Sequence, residues 1–184
     1  MTTGGPPNPH DAMFRFMLGN PVNAASQLRS VLPGELVSRL DLEQLTLVSG
    51  SFVDADLSSQ YSDLVFSVPL DHEDAFVYVL AEHQSRSDPL MAFRMLRYTV
   101  RLWQHHLKKN PAVTRLPAVI PLVVHHNQRA WSAPTDLAEL IAIDDATAGA
   151  VPALRPSFQF SCWTISPPSI WRSCGTGRSR LRSG

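Results

Sequence analysis

The run Phe76-Val77-Tyr78-Val79-Leu80-Ala81 is apolar on both of the faces that an extended chain presents. Side chains on a strand alternate with period two, so a strand with one face in water shows a polar residue at every second position. This run shows none before Glu82, and it reads as a central strand, over residues 76–82, covered on both sides. Segments 45–53 and 63–69 read as strands beside it. A further buried strand is expected over 118–125, where Pro117 and Pro121 suggest an edge or irregular position. The expected fold class is α/β, with a mixed central sheet flanked by helices.

The most regular segment is a helix expected at about 88–109. Phe93, Leu96, Val100, Trp103 and Leu107 recur at steps of three and four, the spacing that aligns side chains on one helical face, and that face is expected to lie on the sheet. One position along, Arg94, Arg97, Arg101 and Lys108 form a basic edge. Such stripes are more often solvated faces than binding surfaces, and Arg94, Arg97 and Arg101 are carried forward only as weak DNA-contact candidates. Upstream, Met13, Phe14, Met17 and Leu18 have helical spacing over 11–18, ended by Gly19-Asn20-Pro21. A second helix is expected over about 22–29 and a turn or two over 35–40. Downstream, a helix is expected over 135–143 with Thr135 as its cap.

At 184 residues the chain holds one ordinary domain rather than two, and 44% hydrophobic with 17% charged residues reads as globular. The longest apolar runs, such as 118–124, fall far short of a membrane span, and no basic-then-apolar signal pattern opens the chain, so a cytoplasmic protein without a membrane partner is expected. A formal net charge of zero withholds the basic imprint that phosphate binding usually leaves on a whole domain, so any DNA site must come from local clustering. The pairs His105-His106 and His125-His126 do not read as a zinc site, because adjacent histidines on a helix diverge and do not converge on one ion. No phosphate-cradling Gly-rich loop and no Gly-x-Ser-x-Gly elbow supports nucleotide hydrolysis or serine esterase chemistry.

Both ends differ from the body. Residues 1–9 are rich in Gly, Pro, Thr and Asn and are expected to be disordered, leaving a domain over 10–160. From Ser161 the composition changes to Ser, Arg and Gly interspersed with Trp163, Trp171, Cys162 and Cys174, and no packed element is expected over 161–184. The hypothesis this suggests is a frameshift close to Phe160. With GC-rich codons the neighbouring frame can encode a helix-forming sequence; coding DNA incompatible with that second reading would rule it out.

Hydrolysis of a phosphodiester needs an activated water, charge stabilisation at the phosphate oxygens and one or two hard divalent cations. Mg²⁺ keeps several waters and takes only one or two protein carboxylates, so one acid on each of two neighbouring strands suffices. Asp63 begins one expected strand, Glu82 ends the buried one, and Gln84 follows two positions on, the same side of an extended chain. A carboxylate ending an apolar strand is costly to desolvate unless something pairs with it, and a cation is one candidate.

Several ordered motifs resemble the recombination-promoting nuclease and transposase-like (Rpn, YhgA-like) family, a branch of the PD-(D/E)XK nucleases. They are Pro9-His10-Asp11-Ala12-Met13-Phe14-Arg15, Gly50-Ser51-Phe52-Val53-Asp54, Tyr61-Ser62-Asp63-Leu64-Val65-Phe66, Glu82-His83-Gln84-Ser85 with Met91-Ala92-Phe93-Arg94 beyond it, and Leu116-Pro117-Ala118-Val119-Ile120-Pro121. The resemblance covers about residues 9–160. It implies a restriction-endonuclease-like core, Mg²⁺-dependent DNA cleavage and a link to recombination or mobile elements. Carried over, Asp63 and Glu82 correspond to the metal-binding acids, and Gln84 to the group that replaces the motif's lysine. A neutral glutamine donates and accepts hydrogen bonds but brings no positive charge to the transition state, so a metal, Arg94 or Arg97 would have to supply it. His10 and Asp11 correspond to the family's N-terminal pair, serving either as a third metal contact or as a helix cap. The alternative function is a DNA-binding or assembly module of the same family whose catalysis has decayed. A homo-oligomer is compatible with either.

Overall fold

The computed structural model describes residues 16, 18–48, 62–82, 87–126, 130–151, 156–166 and 170–173. Its centre is a six-stranded sheet in which neighbours in space are neighbours in sequence: β1 (Thr46–Leu47), β2 (Ser62–Leu70), β3 (Glu73–Glu82), β4 (Ala118–His126), β5 (Ser161–Ser166) and β6 (Ile170–Ser173). β1, β2 and β3 run antiparallel in turn, β3 and β4 are parallel, β4 and β5 are parallel, and β6 returns antiparallel to β5. The mixed sheet and flanking helices agree with the α/β class expected from the strand pattern. A parallel pair needs a long crossover, and between β3 and β4 that is supplied by a 19-residue helix, Met91–Lys109.

A shorter helix, α1 (Pro21–Val31), precedes the sheet. Asn20 caps it by accepting from the Val22 N–H at 2.9 Å, and Pro21 occupies the first turn, where a missing N–H costs nothing. Thus Asn20-Pro21 both ends the preceding segment and starts the next helix. The turn α2 (Gly34–Val37) follows, and Met91–Lys109 is α3. Sheet alternation sorts the core into two layers. Leu64, Phe66, Val77, Val79, Leu122 and Val124 face α1. Val65, Tyr78 and Val123 face α3, together with Cys162 of β5. The double-sided apolar run at 76–81 is thus explained: its odd and even positions serve different cores.

The structure corrects four expectations. The side of α3 that lies on the sheet is made by Met91, Met95, Tyr98 and Leu102, all buried, whereas Phe93, Val100 and Leu107 are 46%, 37% and 40% exposed. The helix is apolar over more of its circumference than one stripe, and the methionines and tyrosine, which periodicity alone ranks below Phe and Val, fill the irregular surface over β3 and β4. The segment at 135–143 is not an α-helix. Asp136, not Thr135, caps a short 3₁₀ turn (Leu137–Leu140) by accepting from Ala138 N–H at 2.9 Å, because the Leu137 N–H is already bonded to the Phe158 carbonyl and Asp136 bridges Gln159. A separate helix, α4 (Asp145–Ala150), begins at Asp144, which accepts from both the backbone N–H and the hydroxyl of Thr147. Third, β4 is an interior strand, although Pro121 precedes its first pairing with β5, Leu122↔Ser161, so the proline stands where one edge is still open. Fourth, the segment from Ser161 is not without elements: β5 and β6 complete the sheet there. Trp163, Thr164 and Ile165 have the β-branched and aromatic character that suits a strand, and Cys162 is buried in the α3-side core. Of the strand expected over 45–53, Thr46–Leu47 is strand, and 49–61 lie outside the described residues, as do 1–15 and 174–184.

The β2–β3 hairpin turns on two residues with positive φ, Asp71 (48°) and His72 (72°), the left-handed pair that matches the twist of the flanking strands. Arg39 holds this turn: its Nε donates to Asp71 Oδ2 at 2.7 Å, its Nη2 donates to the same oxygen, and its carbonyl accepts the Asp71 N–H. The Arg39 hydrogen bond holds the Asp71 carboxyl below the usual carboxylate range.

Met95→Ala should lower the urea-unfolding free energy by about 2–5 kcal/mol, the usual cost of truncating a buried methionine, whereas Phe93→Ala should cost less than about 1 kcal/mol; the reverse order would restore Phe93 to the sheet-facing side. Because the Asp71 carboxyl is depressed on folding, its contribution is present above the ordinary carboxylate range and is lost as pH falls through the lowered value. Asp71→Asn should therefore lower the urea midpoint at about pH 6 and converge with the wild type at strongly acid pH, where the aspartate is protonated in both states.

Candidate active site

Asp63 lies one residue inside the start of β2, and Glu82 is the last residue of β3. The strands are antiparallel, so both acids come to the same end of the sheet. The ladder pairs Asp63 with Leu80, which places Glu82 one step diagonal to it. Counting in twos from Val65 and from Tyr78, both on the α3 side, assigns the positions of Asp63 and Glu82 to that same face. Diagonal neighbours across an antiparallel pair are roughly 7–8 Å apart, which long side chains span. Two adjacent carboxylate positions supply hard oxygen donors of the kind Mg²⁺ takes, and in the number it takes. The donor chemistry fits the expected ion. Gln84, His10 and Asp11 lie outside the described residues.

Asp88 fixes the start of α3. Asp88 Oδ1 accepts from the Leu90 N–H at 2.8 Å, and Asp88 Oδ2 accepts from Arg94 Nη1 at 2.7 Å. Arg94 also reaches the Tyr98 hydroxyl at 3.5 Å, and Tyr98 stacks on Tyr78 with ring centroids 5.0 Å apart. Arg94 is therefore engaged in fixing the helix start, with only 14% of its side chain exposed. Arg97, in the second turn, is exposed, and Arg101 is half-buried further along. The basic edge suggested by sequence divides: Arg94 is tied to Asp88, while Arg97 faces solvent. Burial, with Lys109 and Lys108 beside it, pushes the His105 imidazole below its usual range.

Sequence reasoning missed one neighbour. His125, weighed with His126 only as half of a metal-binding pair, pairs in register with Glu82 across the parallel β3–β4 ladder and is 1% exposed. Its signal was available in the alternation of β4, where His125 takes the face of Val123. A groove of about 760 Å³ lies at the opposite end of the sheet, beside the Asp71 turn, and is lined by both acidic and basic groups.

The chain matches the family described as "Putative transposase, YhgA-like" over residues 8–163. It belongs to that family. Among curated proteins, it is 40% identical over 138 residues to the recombination-promoting nuclease RpnD of Escherichia coli O157:H7, a match covering 72% of this chain and 52% of that protein. It is 41% identical over 118 residues to the recombination-promoting nuclease RpnA of Escherichia coli K12, covering 64% and 40%. It is also 35% identical over 128 residues to the inactive recombination-promoting nuclease-like protein RpnE of Escherichia coli K12, with 70% of this chain and 42% of that protein covered. The chain thus spans about half or less of the length of these relatives. No solved structure matches it.

Proposed function

We propose that this YhgA-like chain is a divalent-cation-dependent DNA endonuclease acting in recombination or on mobile elements. The observation that carries the reading is the placement of Asp63 and Glu82 as diagonal neighbours on one face of β2 and β3, in a chain whose relatives include two named as recombination-promoting nucleases. Asp63 and Glu82 would hold Mg²⁺, which would neutralise charge on the scissile phosphate and acidify the attacking water. Gln84 follows Glu82 by two positions, where its amide would orient the water or a phosphate oxygen by hydrogen bonds without contributing charge. That leaves positive charge to come from elsewhere in the chain, and Arg97 is the exposed guanidinium in the early turns of α3; Arg94 could serve only by leaving Asp88, and Arg101 stands one turn further from the acids. His10 and Asp11 are kept as accessory groups. A cytoplasmic location is part of this proposal, since DNA is the proposed substrate. Among the described residues, no helix is long and apolar enough to cross a membrane.

A second reading has an observation of its own. The relative named inactive, together with glutamine in place of lysine, favours a module that binds DNA or assembles without cutting. Incubation of the purified chain with supercoiled plasmid separates the two. Nicking is expected with Mg²⁺ and not with EDTA, and Asp63→Ala or Glu82→Gln should each reduce the rate by on the order of 100-fold or more, as removal of a group that stabilises developing charge does. Cleavage that persists in EDTA or in Asp63→Ala would sink the metal-site assignment. An intact plasmid after incubation with folded wild-type protein and either Mg²⁺ or Mn²⁺ would establish the non-cutting reading instead.

A further inference from the structure

His125 is 1% exposed and takes the sheet face of Val123 and Tyr78, which packs against Met91 of α3. An imidazole there is costly unless polar groups use it. Its register neighbours on that face are Glu82 of β3 on one side and Thr164 of β5 on the other. Adjacent strands are roughly 4.8 Å apart, so residues paired in a parallel ladder lie within side-chain hydrogen-bonding reach. The ring is also held from above. Trp131 meets it edge-on, with centroids 5.2 Å apart and planes at 86°. Trp131 is itself anchored, its Nε1 donating to the Ala133 carbonyl at 2.7 Å and its ring standing edge-on to the buried Phe160. A polar ring fixed this way, beside a position assigned to a metal-holding acid, is placed to aim that acid.

We propose that His125 is a positioning residue for Glu82, its ring N–H donating to the Glu82 carboxylate so that the carboxylate presents an oxygen to the divalent cation. This rests on the reading of Glu82 as a metal-holding acid. Carboxylates that ligate metals are themselves commonly hydrogen-bonded, and loss of the outer partner costs 10–100-fold in metal affinity or activity, by the usual range. Trp131 acts one step further out, by holding the imidazole rather than the acid.

The test is calorimetric titration of the full chain with Mn²⁺, alongside Glu82→Gln, His125→Phe and His125→Gln, each checked for folding by near-UV circular dichroism. His125→Phe keeps a ring against Trp131 but removes the donor, and should weaken Mn²⁺ binding about 10–100-fold. His125→Gln restores an N–H and should recover most of that loss. Equal losses in the Phe and Gln variants, or wild-type affinity in His125→Phe, would overturn the proposal. Because substitution at a buried site can impair folding, a second measurement leaves His125 in place: its imidazole ¹⁵N resonances, identified by their disappearance in His125→Gln, should shift in Glu82→Gln. Unmoved resonances would overturn the proposal on their own. If Glu82→Gln binds Mn²⁺ as the wild type does, the metal reading of Glu82 fails and the positioning role falls with it; if Glu82→Gln loses binding while His125→Phe does not, only the positioning role falls.

Discussion

A strand buried on both faces has to be paired on both edges and covered by two layers, and β3 meets all four requirements. β2 and β4 take its edges, and the α1-side and α3-side cores take its faces. None of these contacts could be removed without exposing apolar surface or leaving ladder groups unpaired in the interior. The 19-residue helix between β3 and β4 follows from the same demand, since parallel neighbours cannot be joined by a tight turn. β2 and β3 run antiparallel, and the two-residue turn at Asp71-His72, gripped by Arg39, suffices.

The same strand geometry brings chemistry to one place. β3 is apolar until its last position, and the register of the hairpin sets Asp63 of the neighbouring strand one diagonal step from Glu82. A slip of one residue in that pairing would leave the two acids on opposite faces of the sheet, so the hairpin register is a functional constraint as well as a packing one. The turn that fixes this register lies at the far end of the strands from the acids. Stability at Arg39–Asp71 and geometry at Asp63–Glu82 are therefore linked through nine paired positions rather than through direct contact. On the β4 side, the parallel register adds His125, which the YhgA-like chain buries beneath Trp131.

Helix α3 shows how far periodicity can be trusted. Its approximate extent and amphipathic character were readable from the stripe at 93, 96, 100, 103 and 107. The side it presents to the sheet was not. Apolar residues cover more than one stripe of this helix, and which part is buried depends on how the crossover from Glu82 sets the helix over Tyr78 and Val123. That is decided by Met91, Met95, Tyr98 and Leu102 packing into the pleat. The arginines were read as one edge, but the Asp88 carboxylate separates Arg94 from Arg97, and a hydrogen bond across six residues leaves no periodic trace.

What the sequence determined by itself was local. The double-sided run at 76–81 required a central strand, Asn20-Pro21 started a helix, and the order of motifs carried the family and the residue types of the candidate site. These are properties of side-chain alternation, capping and composition, which a linear chain contains. What only the tertiary structure decided involves residues distant in sequence. The strands after Ser161 find their place by pairing with β4, although their composition lacks a clear period. Asp136 starts a short 3₁₀ turn where a helix was expected, because it is bridged to Gln159 and the Leu137 N–H is taken by the Phe158 carbonyl. His125 becomes a neighbour of Glu82 only through the parallel register of two strands separated by α3, a juxtaposition set by sheet pairing and invisible to spacing along the chain.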